Sequence, residues 1–399
     1  MSSQGPWGLA LLTLVVSAGC ATPSSSSPSR APDGPLVTRL DRALARGAGY
    51  LIGRRSADGA WRSETYGAFS DGYALTPLAT FAVLFSTRSS TDSTALIGYV
   101  NQACIFTAGL ANPDAPATYP LYSAATGAML LSLPFNERHR VARDALVQRV
   151  RQRQLDEAHG WSEADPSYGG WGYYRLAPTR PPDGAFRHEL LSSNVSATLF
   201  ALGALAMAEV PLDDPVYARA RRFLGRAQNL DGDGGFFFTP DNPIQNKAGA
   251  LGAGDEGYRS YGTMTADGVR ALIRTGVPRT DPRVRRAAAW LHARFDPERA
   301  PGDYDDETER ASAYYYWAWT AAHALNTLGS VTFRGPDGAV HWPSALAEAL
   351  LARQRDDGAW KNDATYLRED DPILATAFAM SALALARMAI TRQWRWAVD

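Results

Sequence analysis

One short pattern recurs along this chain and constrains its fold more than any other feature. Each copy is a helix-like stretch, a Gln or Arg, a polar turn that contains glycine, and then an aromatic residue. Clear copies end at Trp61, Trp161, Phe236 and Trp360, and a weaker copy without the Gln ends at Tyr304. A pattern that returns in this way is the signature of a repeat architecture, in which each unit packs against its neighbours.

The helical segments on the two sides of these turns differ in character. Those before the turns are amphipathic, as in PSALAEALLARQ at 343–354, whereas those after the turns are apolar on nearly every face. The apolar segments are 75–85, 196–208, 265–276, 319–329 and 373–388. A helix that is apolar all round must be buried, and a helix with one apolar stripe covers it from outside. The alternation therefore predicts two concentric rings of helices.

A further helical pair is predicted at 93–133, where TALIGYVNQACIFTAGL is followed by YSAATGAMLLSL without the turn pattern. With this pair, six outer and six inner helices close into an all-α (α/α)6 toroid, which we expect to form a single domain over 35–392. No segment of useful length alternates with the period of a β-strand.

The N-terminal segment predicts export. Residues 9–16 form an apolar stretch that is too short to span a membrane, and it leads to the segment SAGC that ends at Cys20. Small residues before a cysteine resemble the lipobox of bacterial lipoproteins, which implies that 1–20 is a signal peptide and that Cys20 is lipidated. Residues 21–34 are then a low-complexity tether. The expected location is the bacterial cell envelope, lipid-anchored at the outer membrane or periplasmic, and an ordinary cleaved signal peptide is the alternative.

Composition and motifs exclude several functional classes. Lys and Arg number 40 against 41 Asp and Glu, so the chain lacks the basic excess of nucleic-acid-binding proteins. No metalloprotease, phosphate-loop, serine-hydrolase or dinucleotide-binding motif is present. The stretch DGDGGFFF at 231–238 has the alternating acids of a calcium loop, but Phe236 stands where that loop requires glycine and Asn242 where it requires glutamate. The sequence therefore predicts no metal site and no cofactor.

The turn pattern extends into a longer motif. A basic-Gly pair, Tyr-Leu and Gly-x-Trp run through 46–61, and shorter versions occupy 228–236 and 354–360. This motif resembles the QW repeat of squalene cyclases and of the related prenyltransferase α/α toroids, including exported bacterial members. The resemblance covers about 40–390, and it implies a toroid with an isoprenoid or other apolar small molecule in a central cavity. An envelope component is the other partner that it implies.

Squalene-type cyclases protonate their substrate with the middle Asp of an Asp-x-Asp-Asp motif. The segment DYDD at 303–306 matches that motif, which implies Asp305 as the catalytic acid with Asp306 beside it. Such an acid must be kept protonated in a dry cavity. Because acidic residues are dense throughout 303–309, a solvated loop is the competing interpretation.

Aromatic residues cluster in loops and at the predicted starts of inner helices, where a toroid has one mouth of its central cavity. We expect the following aromatic residues to line a ligand cavity: Trp171, Tyr173, Tyr174, Tyr258, Tyr261, Tyr315, Tyr316 and Trp319. Polar residues of the same region complete the candidate site: Asp267, His323 and Asp371. The aromatic side chains could instead plug the barrel, and Asp371, which precedes Pro372, also fits a helix cap.

Three functions follow from these observations. The first is a terpenoid-cyclase-like protein that binds or cyclises an isoprenoid. The second is a non-catalytic, envelope-associated binding scaffold. The third is a carbohydrate-active (α/α)6 enzyme, which requires two carboxylates opposed across an aromatic cleft. The carboxylates available for that third function are those of Asp255, Glu256, Asp267, Glu369, Asp370 and Asp371.

Overall fold

The computed structural model describes residues 34–86, 93–252 and 257–391. The expected signal peptide, Cys20 and all of the expected tether except its last residue therefore lie outside the described residues. Asp255 and Glu256 lie outside them as well. The fold and the site below are those of the described part of the chain.

The described residues form α-helices joined by loops and one short β-hairpin. In chain order the helices are α1 (Gly34–Gly53), α2 (Leu75–Ser86), α3 (Ser93–Gly109), α4 (Pro120–Leu131), α5 (Arg140–Arg151), α6 (Val195–Met207), α7 (Pro215–Arg226), α8 (Gly262–Arg274), α9 (Pro282–Arg294), α10 (Glu307–Ala311), α11 (Tyr314–Leu328), α12 (Trp342–Ala352) and α13 (Pro372–Thr391). The hairpin between α11 and α12 pairs β1 (Thr332–Gly335) with β2 (Gly338–His341) in antiparallel register.

Six helices form a closed inner ring. α2 packs against α4, α4 against α6, α6 against α8, α8 against α11, α11 against α13, and α13 returns to α2. The helices α1, α3, α5, α7, α9 and α12 lie outside this ring and pack against inner helices. The predicted all-α (α/α)6 toroid is therefore confirmed, with α10 as a short additional helix before α11.

The two rings follow from the two kinds of helix in the sequence. The first eleven residues of the inner helix α6 are all buried, which matches a segment that is apolar on every face. The outer helix α7 buries one stripe: Val216, Tyr217, Ala220, Phe223 and Leu224. Among the described helices, α13 is long and apolar enough to cross a bilayer, but 89% of its apolar window is buried in the protein. Its place in the inner ring accounts for that composition.

The turns fasten neighbouring outer helices together by the same hydrogen bonds. At three turns a buried or half-buried Gln side chain donates both to a carbonyl of its own turn and to a carbonyl of the next outer helix. The donors and acceptors are Gln154 to Gly169 and Val216, Gln228 to Gly234 and Arg283, and Gln354 to Gly358 and Ala43. Because Ala43 belongs to α1, the last of these bonds closes the ring between its C-terminal and N-terminal ends.

The turns are also fastened to the inner ring. The backbone N–H of each turn aromatic donates to the hydroxyl of a threonine on the following inner helix. The pairs are Trp61 with Thr76, Trp171 with Thr198, Phe236 with Thr265 and Trp360 with Thr376, at 3.0 to 3.2 Å. Each turn therefore joins one outer helix, its inner partner and the next outer helix.

Trp171 occupies the turn position that the sequence pattern assigned to Trp161. The indole N–H of Trp171 donates to the carbonyl of Val150 at 2.7 Å, as that of Trp360 donates to Leu350 at 2.8 Å. Trp161 lies in a separate small cluster with Tyr168. An inserted loop places Trp161 before the true turn, so the first aromatic after Gln154 is not the one that locks the helices.

The stretch DGDGGFFF is part of this turn system. Asp233 accepts hydrogen bonds from the backbone N–H of Gly235 at 3.0 Å, from the hydroxyl of Ser260 at 2.7 Å and from the indole of Trp290 at 2.7 Å. These donors come from the turn itself, from the loop before α8 and from α9. The carboxylate of Asp233 is therefore an internal acceptor that holds three segments together.

Candidate functional site

A cavity of about 520 Å³ opens at the N-terminal ends of the inner helices. Its volume lies within the range typical of small-molecule sites, roughly 300–1,000 Å³. All six inner helices contribute to its wall, which is mainly apolar. The aromatic residues of the wall are Phe69, Tyr119, Tyr122, Tyr173, Phe200, Phe238, Tyr261, Tyr316, Tyr366 and Phe378.

Aromatic side chains also close the floor of this cavity. Trp319 stacks nearly parallel on Phe200, with ring centroids 5.6 Å apart, and lies 5.3 Å from Phe378 and 5.5 Å from Tyr316. We call these four residues the aromatic septum. Beneath it lies a second cavity of about 70 Å³, whose wall includes Arg270, Arg274 and His323. The centre of the toroid is therefore divided into a large and a small compartment.

A chain of hydrogen-bonded side chains joins a buried carboxyl group to the larger cavity. The hydroxyl of Tyr316 donates to Oδ2 of Asp267 at 2.6 Å and lies 2.8 Å from Oγ of Ser196. Ser196 in turn lies 3.0 Å from the hydroxyl of Tyr122, which donates to the hydroxyl of Tyr173 at 2.8 Å. The four hydroxyl-bearing residues line the cavity, and Asp267 lies behind them.

Asp267 is fully buried on α8, and burial raises the pKa of its carboxyl group to about 6. The Arg270 guanidinium and the hydrogen bonds from Thr320 and Tyr316 oppose that rise, because they favour the ionised form. Nη1 of Arg270 lies 3.8 Å from Oδ1 of Asp267, and the guanidinium also lies over the ring of Trp319 at 4.5 Å. A carboxyl group with this pKa exchanges its proton near the pH at which proteins work.

His323 lies on the other side of the septum. Burial, together with the nearby cations Arg270 and Arg274, lowers the pKa of His323 well below its ordinary value. Its ring packs edge-to-face against Trp319 at 5.2 Å. A neutral imidazole at this position is a packing group at neutral pH rather than a proton donor.

Glu369 is the second buried carboxyl group, and it lines the larger cavity. Burial raises its pKa to about 7, although the side chain of Asn362 and three backbone N–H groups oppose that rise. Its two oxygens accept the backbone N–H of Tyr315 at 2.9 Å and of Tyr316 at 2.7 Å. Glu369 therefore caps the start of α11 from outside that helix and holds Tyr316 in place.

Six of the eleven predicted cavity residues lie at or next to the two cavities, in three groups. Tyr173, Tyr261 and Tyr316 line the larger cavity. Trp319 and His323 line the smaller one, with Trp319 forming the septum between the two. Asp267 reaches the larger cavity only through Tyr316.

Other predicted residues lie away from the cavity wall. Trp171 is the fully buried turn aromatic described above. Tyr174 packs against His188, and Tyr258 packs against Phe237. Tyr315, one residue before Tyr316, points away from the cavity, and its hydroxyl donates to the carbonyl of Lys361 at 3.3 Å. Asp371 accepts the backbone N–H of Ile373 and Leu374 at the start of α13, which is the helix-cap alternative.

The acidic motif at 303–306 is corrected by the structure. The Asp305 side chain is 68% exposed and forms an ion pair with Arg259 at 2.5 Å, so it lies at the protein surface and not in a dry cavity. Asp306 caps the short helix α10 by accepting the backbone N–H of Thr308 at 2.7 Å. Neither residue lines either cavity. The motif matches in letters but lies on the surface, as the dense acidic residues around it indicate.

The carboxylates considered for a carbohydrate-active site have separate positions. Asp370 accepts the hydroxyl of Tyr66 at 2.5 Å, and Asp371 caps α13. Of the candidates that the structure describes, Glu369 is the one that lines the cavity. No opposed pair is formed among those described carboxylates.

Several site residues were absent from the sequence prediction. Tyr122, Ser196, Phe200 and Phe378 lie on inner helices, where an apolar or small residue gives no signal that it faces a cavity. Their spacing offers one clue in retrospect, because each lies one to six residues after the first residue of an inner helix. Arg368 was also missed, since it lies in an irregular loop before α13.

No protein-family model matches the chain, and no curated protein matches it in sequence. Solved structures do share its fold. A variant of the type II terpene cyclase MstE from Scytonema in complex with geranylgeranyl dihydroxybenzoate, its substrate, superposes with a TM-score of 0.56 at 14% identity, over 89% of this chain and 99% of that one. Another MstE variant in complex with merosterolic acid A, its product, has a TM-score of 0.52 at 15% identity, over 89% and 98%. A protein from Actinoplanes has a TM-score of 0.50 at 15% identity, over 88% and 99%. These similarities establish the toroid fold, which is one that terpene cyclases use.

Proposed function

We propose that this chain binds an isoprenoid-type molecule in the larger cavity and cyclises it by proton addition. Asp267 is the source of the proton in this proposal, and Tyr316 is the group that delivers it. The observation that carries the proposal is the hydrogen-bonded chain from the buried Asp267 to the cavity wall. The use of the same fold by a cyclase whose substrate has a geranylgeranyl chain supports the choice of ligand class.

The reaction conserves all atoms. Protonated Asp267 passes its proton to Tyr316 as the phenol of Tyr316 gives its own to a terminal carbon–carbon double bond of the ligand. The resulting carbocation is attacked by the next double bond, which forms a carbon–carbon bond and a new cation. The last cation gives a proton to a water molecule, which restores a double bond, and the resulting hydronium returns that proton through Tyr316 to Asp267. The product is an isomer of the ligand.

The aromatic septum suits the cationic intermediates of such a reaction. The faces of Trp319, Phe200 and Phe378 meet at the floor of the cavity, next to Tyr316. An aromatic face attracts a cation within about 6 Å of its centroid. Positive charge that forms beside Tyr316 would therefore be stabilised by the faces of these rings.

The test is incubation of the full chain with squalene and with geranylgeraniol, followed by gas chromatography and mass spectrometry for isomeric products. We expect cyclic isomers from at least one probe. Asp267→Asn keeps the shape of the side chain but removes its acidic proton, so turnover should fall by about 100-fold or more. Tyr316→Phe should lower turnover to a similar degree while leaving binding of the probe nearly unchanged.

Asp305→Asn is the matched control. Asp305 is exposed and ion-paired, so its variant should retain full turnover. Loss of activity in Asp305→Asn with retention in Asp267→Asn would restore the surface motif and overturn our assignment. Binding of the probes without any isomer would instead favour the non-catalytic scaffold.

We further propose that the recurring turns belong to the QW-repeat class and that the chain is an exported lipoprotein anchored at Cys20. The turn motif and the segment SAGC support these two proposals from the sequence alone. Metabolic labelling with an alkyne fatty acid tests the second: we expect labelled protein from the native chain and none from Cys20→Ser. Label that persists in Cys20→Ser would contradict the anchor.

A further inference from the structure

The mouth of the larger cavity carries positively charged side chains, for which a wholly apolar ligand would offer no partner. Lys247 and Arg368 both line the cavity, close to its opening. Neither cation lies within ion-pair distance of a carboxylate in the part of the chain that the structure describes. The only other lysine of the chain, Lys361, is exposed at the surface.

Lys247 is held in an apolar setting. Its ammonium group lies 4.6 Å from the centroid of the Tyr366 ring. Burial is the main influence on the pKa of Lys247 and lowers it, and the more distant Glu309 only partly opposes that effect. A cation that has lost water without gaining a carboxylate is stabilised by any anion that reaches it.

Arg368 is fixed by aromatic rings rather than by an acid. Its guanidinium lies over Tyr66, Phe69 and Tyr119 at 5.3 to 5.5 Å and donates a hydrogen bond to the hydroxyl of Tyr119. Its backbone has φ of 61°, a left-handed conformation that is rare for a residue other than glycine. Such strain is often found where a side chain must be aimed at a ligand.

Tyr261 supplies an independent sign of a missing polar partner. Its side chain is 1% exposed and lines the cavity, and its hydroxyl lies beside the backbone of Lys247. That hydroxyl makes no hydrogen bond of ordinary geometry within the described residues. A buried hydroxyl group without a hydrogen-bond partner destabilises the folded protein, so a ligand oxygen at this point would be favoured.

We propose that this mouth binds an oxyanion head group, a carboxylate or a phosphate, at the end of an otherwise apolar, chain-like ligand. Lys247 and Arg368 supply the positive charge, and Tyr261 donates its free hydroxyl proton to a head-group oxygen. The apolar chain then extends toward the septum. This proposal rests on the proposed function for the ligand class, and it adds the polar end of the molecule and the direction in which it enters.

The helices around the mouth favour the same charge. All six inner helices begin there, and the N-terminus of a helix carries partial positive charge. Two carboxyl groups, those of Glu189 and Glu369, also line the cavity and could repel an anion. Glu189 is exposed to solvent, and both oxygens of Glu369 already accept backbone N–H groups. Neither carboxyl group forms an ion pair with Lys247 or Arg368 among the described residues.

Three probes with one apolar chain and different ends test this inference: farnesoic acid, farnesyl monophosphate and farnesol. Their dissociation constants for the full chain are measured by isothermal titration calorimetry at two salt concentrations. We expect the two anionic probes to bind at least about tenfold more tightly than farnesol, which is the effect of one charge-assisted hydrogen bond. Tighter binding of the acid or of the phosphate identifies the source of the oxyanion, and either result supports the inference.

Variants locate the head group. Lys247→Met and Tyr261→Phe should weaken binding of the anionic probes by about tenfold and leave farnesol unchanged. Arg368→Met removes the charge at position 368. Arg368→Lys keeps that charge and serves as a second variant in case Arg368→Met disturbs the packing of the three rings around it. Lys361→Met is the control, since it removes the other lysine from the surface, and it should bind all probes as the native chain does.

Two results overturn the inference, and they are distinct. Equal binding of all three probes, or equal weakening of all three by Lys247→Met, removes the head-group site and leaves an apolar cavity as proposed. Absence of binding for every probe, including farnesol, removes the isoprenoid ligand itself and with it the proposed function.

Discussion

Asp267 has few routes by which a proton can leave it. Its two oxygens face Tyr316, Thr320 and Arg270, and no water-accessible surface remains on the side chain. Of these neighbours, Tyr316 is the one that also faces the larger cavity. The hydroxyl group of Tyr316 is therefore the one contact of Asp267 that connects it to the larger cavity.

The pKa of Asp267 makes a prediction about stability that is independent of any substrate. Because its pKa is raised from 3.8 to about 6, the folded state prefers the neutral form. That contribution to the free energy of unfolding is complete below about pH 4, and about 3 kcal/mol of it is lost as the pH rises through about 6. Urea unfolding of the native chain and of Asp267→Asn across this range measures the loss, because Asn does not titrate.

The difference in unfolding free energy between the two proteins should therefore change by about 3 kcal/mol from pH 4 to pH 7 in favour of the variant. Other groups, including Glu369, titrate in both proteins and cancel. A difference that stays constant with pH would show that Asp267 is not a buried titrating carboxyl group.

Gly358 shows how a single backbone position limits a turn. Its φ of 89° is left-handed, and a Cβ atom there would lie 2.6 Å from the carbonyl oxygen of Arg46 on α1. We expect Gly358→Ala to lower the free energy of unfolding by about 2–4 kcal/mol, from the strained φ and from the displaced α1. Thermal unfolding measures the loss.

Gly225→Ala is its control. Gly225 lies on the exposed face of α7, and a Cβ atom there meets nothing within 4 Å. Since Ala favours a helix by ~1 kcal/mol over Gly, this variant should be slightly more stable than the native chain. Equal effects of the two variants would contradict the close approach at Gly358.

At the scale of elements, the toroid is held by bonds between each turn and the helices beside it. Gln354 joins α12 and its turn to α1, which are far apart in sequence and adjacent in space. Such a bond secures the ring at the point where its two ends meet. The turn motif therefore joins neighbouring helices. The same Gln hydrogen bonds recur at three turns because the geometry of the helix pairs repeats.

Gln354→Ala tests that fastening. It removes the donor that Gln354 supplies to the carbonyl groups of Gly358 and Ala43, so we expect a loss of about 1–3 kcal/mol in the free energy of unfolding. Gln148→Ala, on the exposed face of α5, is the control and should change stability by less than about 0.5 kcal/mol. Similar stabilities of the two variants would contradict a structural role for the side chain of Gln354.

At the scale of the molecule, the septum divides the space inside the ring of helices. Phe200, Trp319 and Phe378 come from α6, α11 and α13, which are neighbours only in the closed ring. They separate a cavity of about 520 Å³ from one of about 70 Å³. In the proposed function, a ligand that enters at the mouth would end at these rings.

Trp319→Leu should open the septum and join the two cavities. Loss of the indole should lower stability by roughly 2–4 kcal/mol, and the joined space should admit a longer polyprenyl chain. Native mass spectrometry with farnesol, geranylgeraniol and longer alcohols measures the longest chain retained. Trp319→Phe keeps an aromatic ring at the septum and should retain the native limit; an unchanged limit in Trp319→Leu would show that the septum does not set it.

The fold was predictable from the sequence because its signals are local and repeated. The all-round apolar character of segments such as 196–208 and the amphipathic stripe before each turn depend only on residues close together in the chain. The position of Tyr316 at the start of an inner helix was predictable for the same reason. The choice between Trp161 and Trp171 was not, since both follow Gln154 and only packing selects one.

What the sequence by itself determined is therefore the ring of helix pairs, the turns that join them and the end of the ring at which aromatic residues gather. Only the tertiary structure decided which acid is buried. Asp305 and Asp267 are the same residue type in the sequence. Asp305 contacts water and Arg259, whereas Asp267 lies among apolar helices behind Tyr316. Burial is a property of the closed ring, and burial is what raises the pKa of the Asp267 carboxyl group.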